Sequence, residues 1–462
     1  MCVLEDLLVQ EETLVSQIQA SEYTLYRVRV HIAELRNINR GAGTYNLPSE
    51  ILSAIFEAGI TETPETMDRW LDQQTMRFEL LVSSVSRRWR NVALQTPLLW
   101  TDLTINVMQL THDLYNLYLS RSKICLLDIT LDSFHPEKQA TQDTPDCAQR
   151  LLDQLISHVG RWRKFIVRRG FIGSQPSALS HLCAPALETL VLDFCTHQPE
   201  IELFSGGAPR LSSVELIGAK CRPPLGAVNY LTLFRSSYGS PLSYDQLSRF
   251  IEPTRSLTRL SIDAKIAQDA EIHPPIELPS VLVLYILFHR GDTDCNTLRI
   301  LDFSAVKSLT IDGDTDVVIG ALTRNHRVYP HVQSLTLAHN SEYNDTENTP
   351  AMALDFISLL PAVRDVVFQG TNPSAILDVL HNRKSTDEVP WSDLSAITVV
   401  AAGRGQSYAN KNQIWACIVK VVENRVQLGQ PISRIKLSFE IVGRGGQRQK
   451  QWLREKTALT EC

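Results

Sequence analysis

LETLVLDFC (residues 187–195) and VQSLTLAHN (residues 332–340) share one pattern, with apolar residues at the first, fourth and sixth positions. The two stretches end on Cys195 and Asn340. The same apolar spacing, without the final Cys or Asn, occurs at eleven further places between residues 100 and 437. Alternation of the fourth and sixth residues is typical of a short strand with one buried face. The sequence therefore predicts a series of similar strand-containing units.

These thirteen units follow one another at intervals of 17 to 38 residues between their central residues, and most intervals lie between 24 and 31. Intervals of about 20 to 29 residues are typical of a leucine-rich repeat, in which each unit adds one strand to a parallel sheet. We predict the α/β class, with an irregular leucine-rich-repeat-like solenoid and its parallel sheet over residues 103–442. The alternative is a conventional α/β domain of parallel strands. The central residues are Leu103, Ile129, Phe165, Leu190, Val214, Leu231, Leu260, Leu284, Leu309, Leu335, Val366, Ile397 and Ile435.

The N-terminal segment carries a heptad pattern over five heptads, and no Gly or Pro interrupts it. Eight of its ten seam positions are apolar. The pattern predicts a coiled-coil helix over residues 1–40 that ends at or just before Gly41. This helix either pairs with another helix, as in a homodimer through residues 1–38, or folds back on its own domain. The seam consists of Leu4, Glu11, Ile18, Leu25 and Ile32 at position a, and Leu7, Leu14, Ser21, Val28 and Leu35 at position d.

A short amphipathic helix is predicted in LPSEILSAIFEAG (residues 47–59). Pro48 suits a first helical turn, since proline at the start of a helix loses no hydrogen bond. Apolar residues recur on one face, which predicts that this face is covered. They are Leu47, Ile51, Leu52 and Ile55.

One longer helix is predicted in LLVSSVSRRWRNVALQTPLLW (residues 80–100). Leu81, Val85 and Trp89 recur every four residues, and Pro97 ends the helix. The stretch 61–79 between the two helices is charged and weakly periodic, which predicts a loop with a short helix. Together these segments predict a small helical domain over residues 44–102.

Composition and charge exclude several classes of function. The chain has 45 basic and 51 acidic side chains, and this balance argues against a general nucleic-acid or anionic-membrane binder. Its longest apolar run, 281–288, is too short to cross a bilayer. Nine cysteines without a CxxC pair predict reduced thiols in a cytoplasmic or nuclear protein. The C-terminal stretch 443–462 is basic and is predicted to be a flexible tail.

Sequence motifs of catalysis are absent. GxxxxGK[ST], GxGxxG, HExxH and GxSxG do not occur in the sequence. Asp312, Asp314 and Asp316 imitate the start of a calcium loop, but Val317 and Thr323 stand where such a loop needs Gly and Glu. We therefore predict no catalytic, cofactor-binding or metal-binding residues and a protein that is not an enzyme.

The segments LPSEILSAIF and VSSVSRRWRNVALQTPLLW together resemble the F-box, especially the F-box-like proteins of mushroom-forming fungi. In those proteins an N-terminal coiled helix precedes LPxEIL-x-x-IF, a VCRRWR-x-x-A helix, a TPxLW turn and irregular leucine-rich repeats. The resemblance covers about 50 residues closely and the general layout of the rest of the chain. Two features depart from the pattern: Ser86 replaces the usual Cys, and about 20 residues separate the two helices.

The resemblance implies a substrate-recognition subunit of a Skp-cullin-F-box type ubiquitin ligase. The F-box would bind the Skp-type adaptor and, through it, a cullin, while the repeats would bind an unknown substrate protein. An F-box-like scaffold or dimeric interaction protein without a ubiquitin ligase role is the alternative. Carried over by position, the adaptor-binding residues would be Leu47, Pro48, Ile51, Leu52 and Ile55 in the first helix, and Val82, Val85, Trp89 and Trp100 in the second helix and its closing turn.

Overall fold

The computed structural model describes fifteen ranges of the chain, and along the first helix it describes the side chains of residues 10, 13–32 and 35. Cys195, Asn340, the predicted break at Gly41 and most of the predicted loop 61–79 lie outside these ranges. The described ranges are 2–39, 47–61, 77–106, 112–132, 144–168, 176–193, 201–217, 221–234, 241–263, 266–267, 273–288, 296–339, 350–381, 389–400 and 408–461.

The chain divides into two compact units. The first, here called the helical unit, comprises Met1–Asp102 and His112–Cys125. The second, called the sheet unit, comprises Leu103–Thr111 and Leu126–Cys462. In the described residues, no helix is both long enough and apolar enough to span a membrane.

The helical unit contains five α-helices in its described residues, and a single 3₁₀ turn at Pro97–Trp100 follows the fourth of them. The helices are α1 (Cys2–Asn39), α2 (Ser49–Thr61), α3 (Phe78–Val85), α4 (Arg87–Gln95) and α5 (His112–Arg121).

Strands and helices alternate through most of the sheet unit. Its strands begin with β1 (Asp102–Asn106), which starts at the last residue of the first segment of the helical unit, and continue with β2 (Leu127–Asp132), β3 (Trp162–Arg168), β4 (Thr189–Asp193), β5 (Ile201–Glu202), β6 (Ser213–Ile217), β7 (Cys221–Arg222), β8 (Tyr230–Phe234), β9 (Arg259–Asp263), β10 (Ile276–Glu277), β11 (Val283–Leu287), β12 (Leu301–Asp302), β13 (Ser308–Asp312), β14 (Ser334–Ala338), β15 (Asp365–Gln369), β16 (Ala396–Val400), β17 (Arg434–Leu437) and β18 (Ala458–Glu461). Its helices are α6 (Thr144–Ile156), α7 (Tyr244–Ile251), α8 (Asn296–Ile300), α9 (Thr315–Asn325), α10 (Pro350–Leu359), α11 (Ser374–His381), α12 (Tyr408–Gln427), α13 (Phe439–Val442) and α14 (Gln447–Lys456).

Fourteen of these strands form one large sheet in the described residues, in the order β1-β2-β3-β4-β6-β8-β9-β11-β13-β14-β15-β16-β17-β18. From β2 onward every neighbouring pair is parallel. Two short parallel pairs, β5 with β7 and β10 with β12, lie outside this sheet. The predicted α/β class with a large parallel sheet is therefore confirmed.

The central residues of the predicted units form one buried row across the sheet. Leu309 pairs with Leu335, which pairs with Val366, which in turn pairs with Ile397. All four side chains are buried, as is the alternate residue further along each strand. Each of the thirteen predicted centres lies in a different strand of this sheet. The apolar spacing therefore locates the buried face of every strand from β1 to β17 in the large sheet.

Backbone hydrogen bonds link successive strands at the point where each strand begins. The carbonyl oxygen of Leu282 accepts hydrogen bonds from the N–H groups of Lys307 and Ser308, at 2.9 and 3.0 Å. The carbonyl oxygen of Lys307 accepts in the same way from Gln333 and Ser334, at 2.8 and 3.0 Å. These bonds satisfy polar backbone groups at the ends of the sheet where the strands begin.

A second set of backbone bonds lies past the ends of the strands. Gly313 N–H donates to Ala338, and His339 N–H donates to Gln369, each at 2.8 Å. The N–H of Gly370 donates to Val400, also at 2.8 Å. Eleven of the thirteen units lack the final Asn or Cys. Main-chain partners satisfy these backbone groups without such side chains.

The helix predicted over 80–100 is interrupted at Ser86, and that part of the prediction is wrong. Ser86 has an extended backbone, with φ −159° and ψ 166°, and ends α3. Its side-chain oxygen accepts a hydrogen bond from the N–H of Trp89 at 3.1 Å, which caps the start of α4. The apolar periodicity continues across this residue, and so it gives no sign of the break.

The stretch 443–462, predicted to be a flexible tail, is folded over its described residues. It contains α14 and the edge strand β18, which pairs in parallel with β17. Leu453 is fully buried, and the indole N–H of Trp415 donates to the side-chain oxygen of Gln449 at 3.0 Å. The basic residues lie on the exposed side of α14. A prediction from composition registers these charges and not the buried contacts of Leu453, and it therefore assigns a flexible tail.

Candidate protein-docking face of the helical unit

The start of α2 is held by main-chain contacts around Pro48. The carbonyl oxygen of Pro48 accepts hydrogen bonds from the N–H groups of Ile51 and Leu52, both at 3.1 Å. Helix α2 begins at Ser49, so Pro48 directly precedes the first turn in which it was predicted. The Arg88 guanidinium donates a hydrogen bond to the carbonyl oxygen of Leu47, which joins α4 to the entry of α2.

Helix α2 has one buried and one exposed apolar face. Leu52 and Phe56, four residues apart, are almost completely buried. Ile51 and Ile55, also four residues apart, are each 47% exposed. Side chains four apart lie on the same side of a helix, so each pair forms a continuous stripe. Only the first stripe contributes to the core of the unit.

Helix α3 repeats this division. Val82 is buried, while Leu81 and Val85 are 49% and 56% exposed. The C-terminal part of α2 lies close to the start of α3, so that a Cβ atom added at Gly59 would meet the ring of Phe78. A side chain at position 59 would therefore displace the Phe78 ring.

Helix α4 supplies the centre of this core. Val92 and Ala93 are buried, and Trp89 is half-buried with its ring centroid 5.1 Å from that of Phe56. The hydroxyls of Ser53 on α2 and Thr96 lie 2.8 Å apart and share a hydrogen bond. These contacts set the position of α2 on α4.

Trp100 lies in the interior of the helical unit. Its indole N–H donates to the carbonyl oxygen of Ala93 at 2.9 Å. The ring meets Tyr118 edge-on with centroids 5.1 Å apart, and the Arg121 guanidinium lies 4.7 Å from its centroid. Both partners belong to α5, which the sequence did not assign to this unit.

A polar contact between α3 and α5 lies beside this aromatic pair. The Tyr118 hydroxyl donates to the carboxylate of Glu79. Burial and then Glu79 raise the pKa of Tyr118 far above its ordinary value, and the Arg77 guanidinium lies over its ring at 5.6 Å. Sequence reasoning missed all three residues, since 39 residues separate Glu79 from Tyr118.

The nine residues predicted to bind an adaptor therefore divide into three groups. Pro48, Ile51, Ile55 and Val85 are exposed, and Leu47 and Trp89 are half-buried. Leu52, Val82 and Trp100 are buried inside the unit and can act only by supporting the exposed side chains.

The exposed apolar side chains define a candidate docking face. They stand on α2, α3 and the turn after α4, and α2 packs against both of the others. Large apolar side chains that a small unit leaves exposed are candidates for the surface that binds another protein. We define the docking face by Ile51, Ile55, Leu81, Val85 and Leu98.

The outward face of the large sheet is a second candidate surface. Its side chains alternate with the buried ones and are mostly half-buried. The Tyr285 hydroxyl donates to a carboxylate oxygen of Asp312 at 3.4 Å, and burial together with Asp312 raises the pKa of Tyr285 to about 12. Burial also raises the pKa of Glu215 on the same face. The face is therefore a mixture of polar, charged and apolar groups.

Burial keeps two thiols of the sheet unit protonated. Burial raises the pKa of Cys221 to about 12, and burial together with Asp378 raises that of Cys417 to about 12. A protonated thiol is a poor nucleophile and a poor metal ligand. Asp314, part of the calcium-like stretch, caps α9 by accepting from the N–H of Asp316 at 3.0 Å. Among the described residues, no three His, Cys, Asp or Glu side chains are placed to hold a metal ion.

Comparison with known proteins adds no relative. No protein-family model matches the chain. No curated protein matches it either.

Proposed function

We propose that this chain is a substrate-recognition subunit of a Skp-cullin-F-box type ubiquitin ligase. In this proposal the docking face of the helical unit binds a Skp-type adaptor and, through it, a cullin. The sheet unit binds the substrate protein. Such a subunit works in the cytoplasm or the nucleus, where these ligases act.

One observation carries the proposal. Ile51 and Ile55 are exposed next to Leu52 and Phe56, which are buried, and this division occurs in the segment that resembles the F-box. A helix whose two apolar stripes lie on different sides needs two partners, and the unit itself covers only one of them. The exposed stripe is suited to a hydrophobic groove of a second protein.

The order of its strands and the side chains on its outward face suit the sheet unit to binding a substrate protein. Its parallel strands follow one another in nearly sequential order, which supports a leucine-rich-repeat-like solenoid with one continuous outward face. Side chains from many strands contribute to such a face, among them Tyr285 and Glu215. Recognition of a protein through several successive repeats needs no deep pocket.

The chain would act by proximity and not as an enzyme. A receptor that binds the adaptor and the substrate together raises the effective concentration of substrate near the conjugating machinery. This role requires two docking surfaces and no nucleophile or acid–base pair.

Co-purification with a Skp-type adaptor tests the proposal. The intact chain is expected to form an equimolar complex. Ile55→Glu combined with Val85→Glu places two charges on the docking face and should weaken the complex by at least about a hundredfold. Both side chains are exposed, so the helical unit should keep its fold, which circular dichroism and limited proteolysis would check.

Leu354→Glu is the matched control. Leu354 lies on α10 of the sheet unit and is 50% exposed, close to the value for the docking-face residues. This variant should bind the adaptor as tightly as the native chain. No complex with the intact chain, or a complex that survives the double substitution, would overturn the proposal.

A scaffold or dimeric interaction protein without a ligase role is the second candidate. The exposed apolar seam of α1 favours it, since that helix offers a surface for association. The two candidates differ in one measurable property, which is binding of the adaptor.

A further inference from the structure

Helix α1 presents an apolar seam that nothing in the described residues covers. The helix has 38 residues and is therefore about 57 Å long. The apolar seam residues whose side chains are described are between 42% and 58% exposed. A helix in a protein is stabilised mainly when its apolar face packs against another element. A heptad seam is typically buried against a second helix. These residues are Leu14, Ile18, Leu25, Val28, Ile32 and Leu35.

The charges of α1 are divided between its two halves. Residues 2–22 contain five acidic side chains and no Lys or Arg, a formal charge of −5. Residues 23–39 contain Arg27, Arg29, Arg36 and Glu34, a formal charge of +2. A parallel pair of such helices would place acidic half against acidic half. An antiparallel pair would place the acidic half of each helix against the basic half of the other.

The heptad register also fits an antiparallel pair. When the residue numbers of opposite positions add to 39, every a position faces a d position of the second helix. Leu14 then faces Leu25, and Ile18 faces Ser21. The remaining seam pairs are Leu4 with Leu35, Leu7 with Ile32 and Glu11 with Val28. This register uses all ten seam positions and nearly the full length of the helix.

Glu11, the one charged residue of the seam, discriminates between the two directions. In a parallel pair in register, Glu11 would face Glu11 of the second copy, and two carboxylates would share a buried position. In the antiparallel register, Glu11 faces Val28, which stands between Arg27 and Arg29 in the sequence. Arg29, at position e beside Val28, then lies next to Glu11. The antiparallel pair therefore gives Glu11 a cationic neighbour.

We propose that α1 forms an antiparallel coiled coil with α1 of a second copy of this chain. The two C-terminal ends of the paired helices point in opposite directions, about 57 Å apart. The dimer would then carry two docking faces and two sheet units. This association is independent of the proposed ligase role, because it uses none of the docking-face residues.

Light scattering of the purified full chain tests the association. The expected mass is twice the chain mass of 52.0 kDa at micromolar concentration. Ile18→Glu places a charge in the seam and should give the mass of one chain. Tyr23→Glu is the control, because Tyr23 is 64% exposed and lies outside the seam, so this variant should stay dimeric. A native chain with the mass of one copy would overturn the proposal.

Charge reversal tests the direction. Glu11→Arg with Glu12→Arg, and separately Arg27→Glu with Arg29→Glu, should each raise the dissociation constant of the dimer by roughly ten- to hundredfold. All four substitutions together restore opposite charges across the antiparallel pair and should restore dimerisation. In a parallel pair each double substitution only exchanges one like-charge contact for another. Dimers that tolerate both double substitutions would therefore overturn the antiparallel arrangement.

The two proposals fail in different ways. Adaptor binding by the Ile18→Glu variant should equal that of the native chain, since α1 has no part in the docking face. Loss of dimerisation with intact adaptor binding supports both proposals. Loss of adaptor binding in Ile18→Glu, with an unchanged circular dichroism spectrum, would overturn the independence of the two surfaces.

Discussion

The indole N–H of Trp100 donates a 2.9 Å hydrogen bond to the carbonyl oxygen of Ala93, and this contact closes the turn after α4 onto the helix itself. Trp100 also fills the space between α4 and Tyr118 of α5. We expect Trp100→Ala to lower the free energy of unfolding of the helical unit by about 3 to 5 kcal/mol. Trp100→Phe keeps most of the volume and should cost about 1 to 2 kcal/mol.

Hydrogen exchange measured by mass spectrometry in increasing urea would check the Trp100 variants. Peptides from α4 and α5 should exchange at lower urea, while peptides from β13 to β16 keep their midpoint. Equal protection of α5 in Trp100→Ala and in the native chain would contradict the central position assigned to this ring.

Ile51 and Leu52 give a matched pair of substitutions at adjacent positions. Leu52→Ala removes a buried side chain and should lower the free energy of unfolding of the helical unit by about 2 to 5 kcal/mol. Ile51→Ala removes a half-exposed side chain and should change it by less than about 0.5 kcal/mol. Urea denaturation measures both values. In adaptor binding the order should reverse once each variant is shown to be folded, because only Ile51 belongs to the docking face.

Because of Tyr118, the free energy of unfolding of the helical unit should fall as the pH becomes alkaline. Burial and Glu79 raise its pKa in the folded state above the value of about 10 expected in the unfolded chain. Folding therefore favours the protonated phenol, so this contribution is fully present below about pH 10 and is lost as the pH rises through the folded-state pKa. Unfolding free energies at pH 8, 10 and 11 should fall for the native unit.

Tyr118→Phe supplies the comparison for this pH dependence. The variant loses the hydrogen bond to Glu79 and should be about 1 to 2 kcal/mol less stable at pH 8. Its stability should decline less between pH 8 and 11 than that of the native chain. Parallel pH profiles for the two proteins would show that Tyr118 does not cause the loss.

The large sheet was well predicted because its signal is local. In each unit, two or three apolar residues of one short stretch point to the same side, and this pattern identified thirteen of the fourteen strands in the described sheet. β18 was missed because Ala458, Thr460 and Glu461 are exposed at the sheet edge, and only Leu459 aligns with the buried row. An edge strand has a neighbouring strand on one side only. Most side chains of β18 are exposed, so its sequence shows little alternation of apolar and polar residues.

The candidate site was less predictable because it depends on distant packing. Ile51 and Leu52 are both apolar and adjacent, so the sequence cannot tell which one faces α4. The break at Ser86 depends on its side chain accepting from Trp89, a contact that leaves no trace in the apolar periodicity. Glu79 and Tyr118 meet across 39 residues of sequence. Tertiary packing decides all three features.

Residues 447–461 close the edge of the large sheet, so substitution of their buried side chains should destabilise the sheet unit. Leu453 is fully buried, so Leu453→Ala should lower the free energy of unfolding of this unit by about 2 to 5 kcal/mol. Arg448→Ala, on the exposed side of α14, should change it by less than about 0.5 kcal/mol. Urea denaturation followed by hydrogen exchange in β16 and β17 would measure the difference. A flexible tail would give the same result for both substitutions, whereas a packed helix and edge strand require Leu453→Ala alone to expose β17.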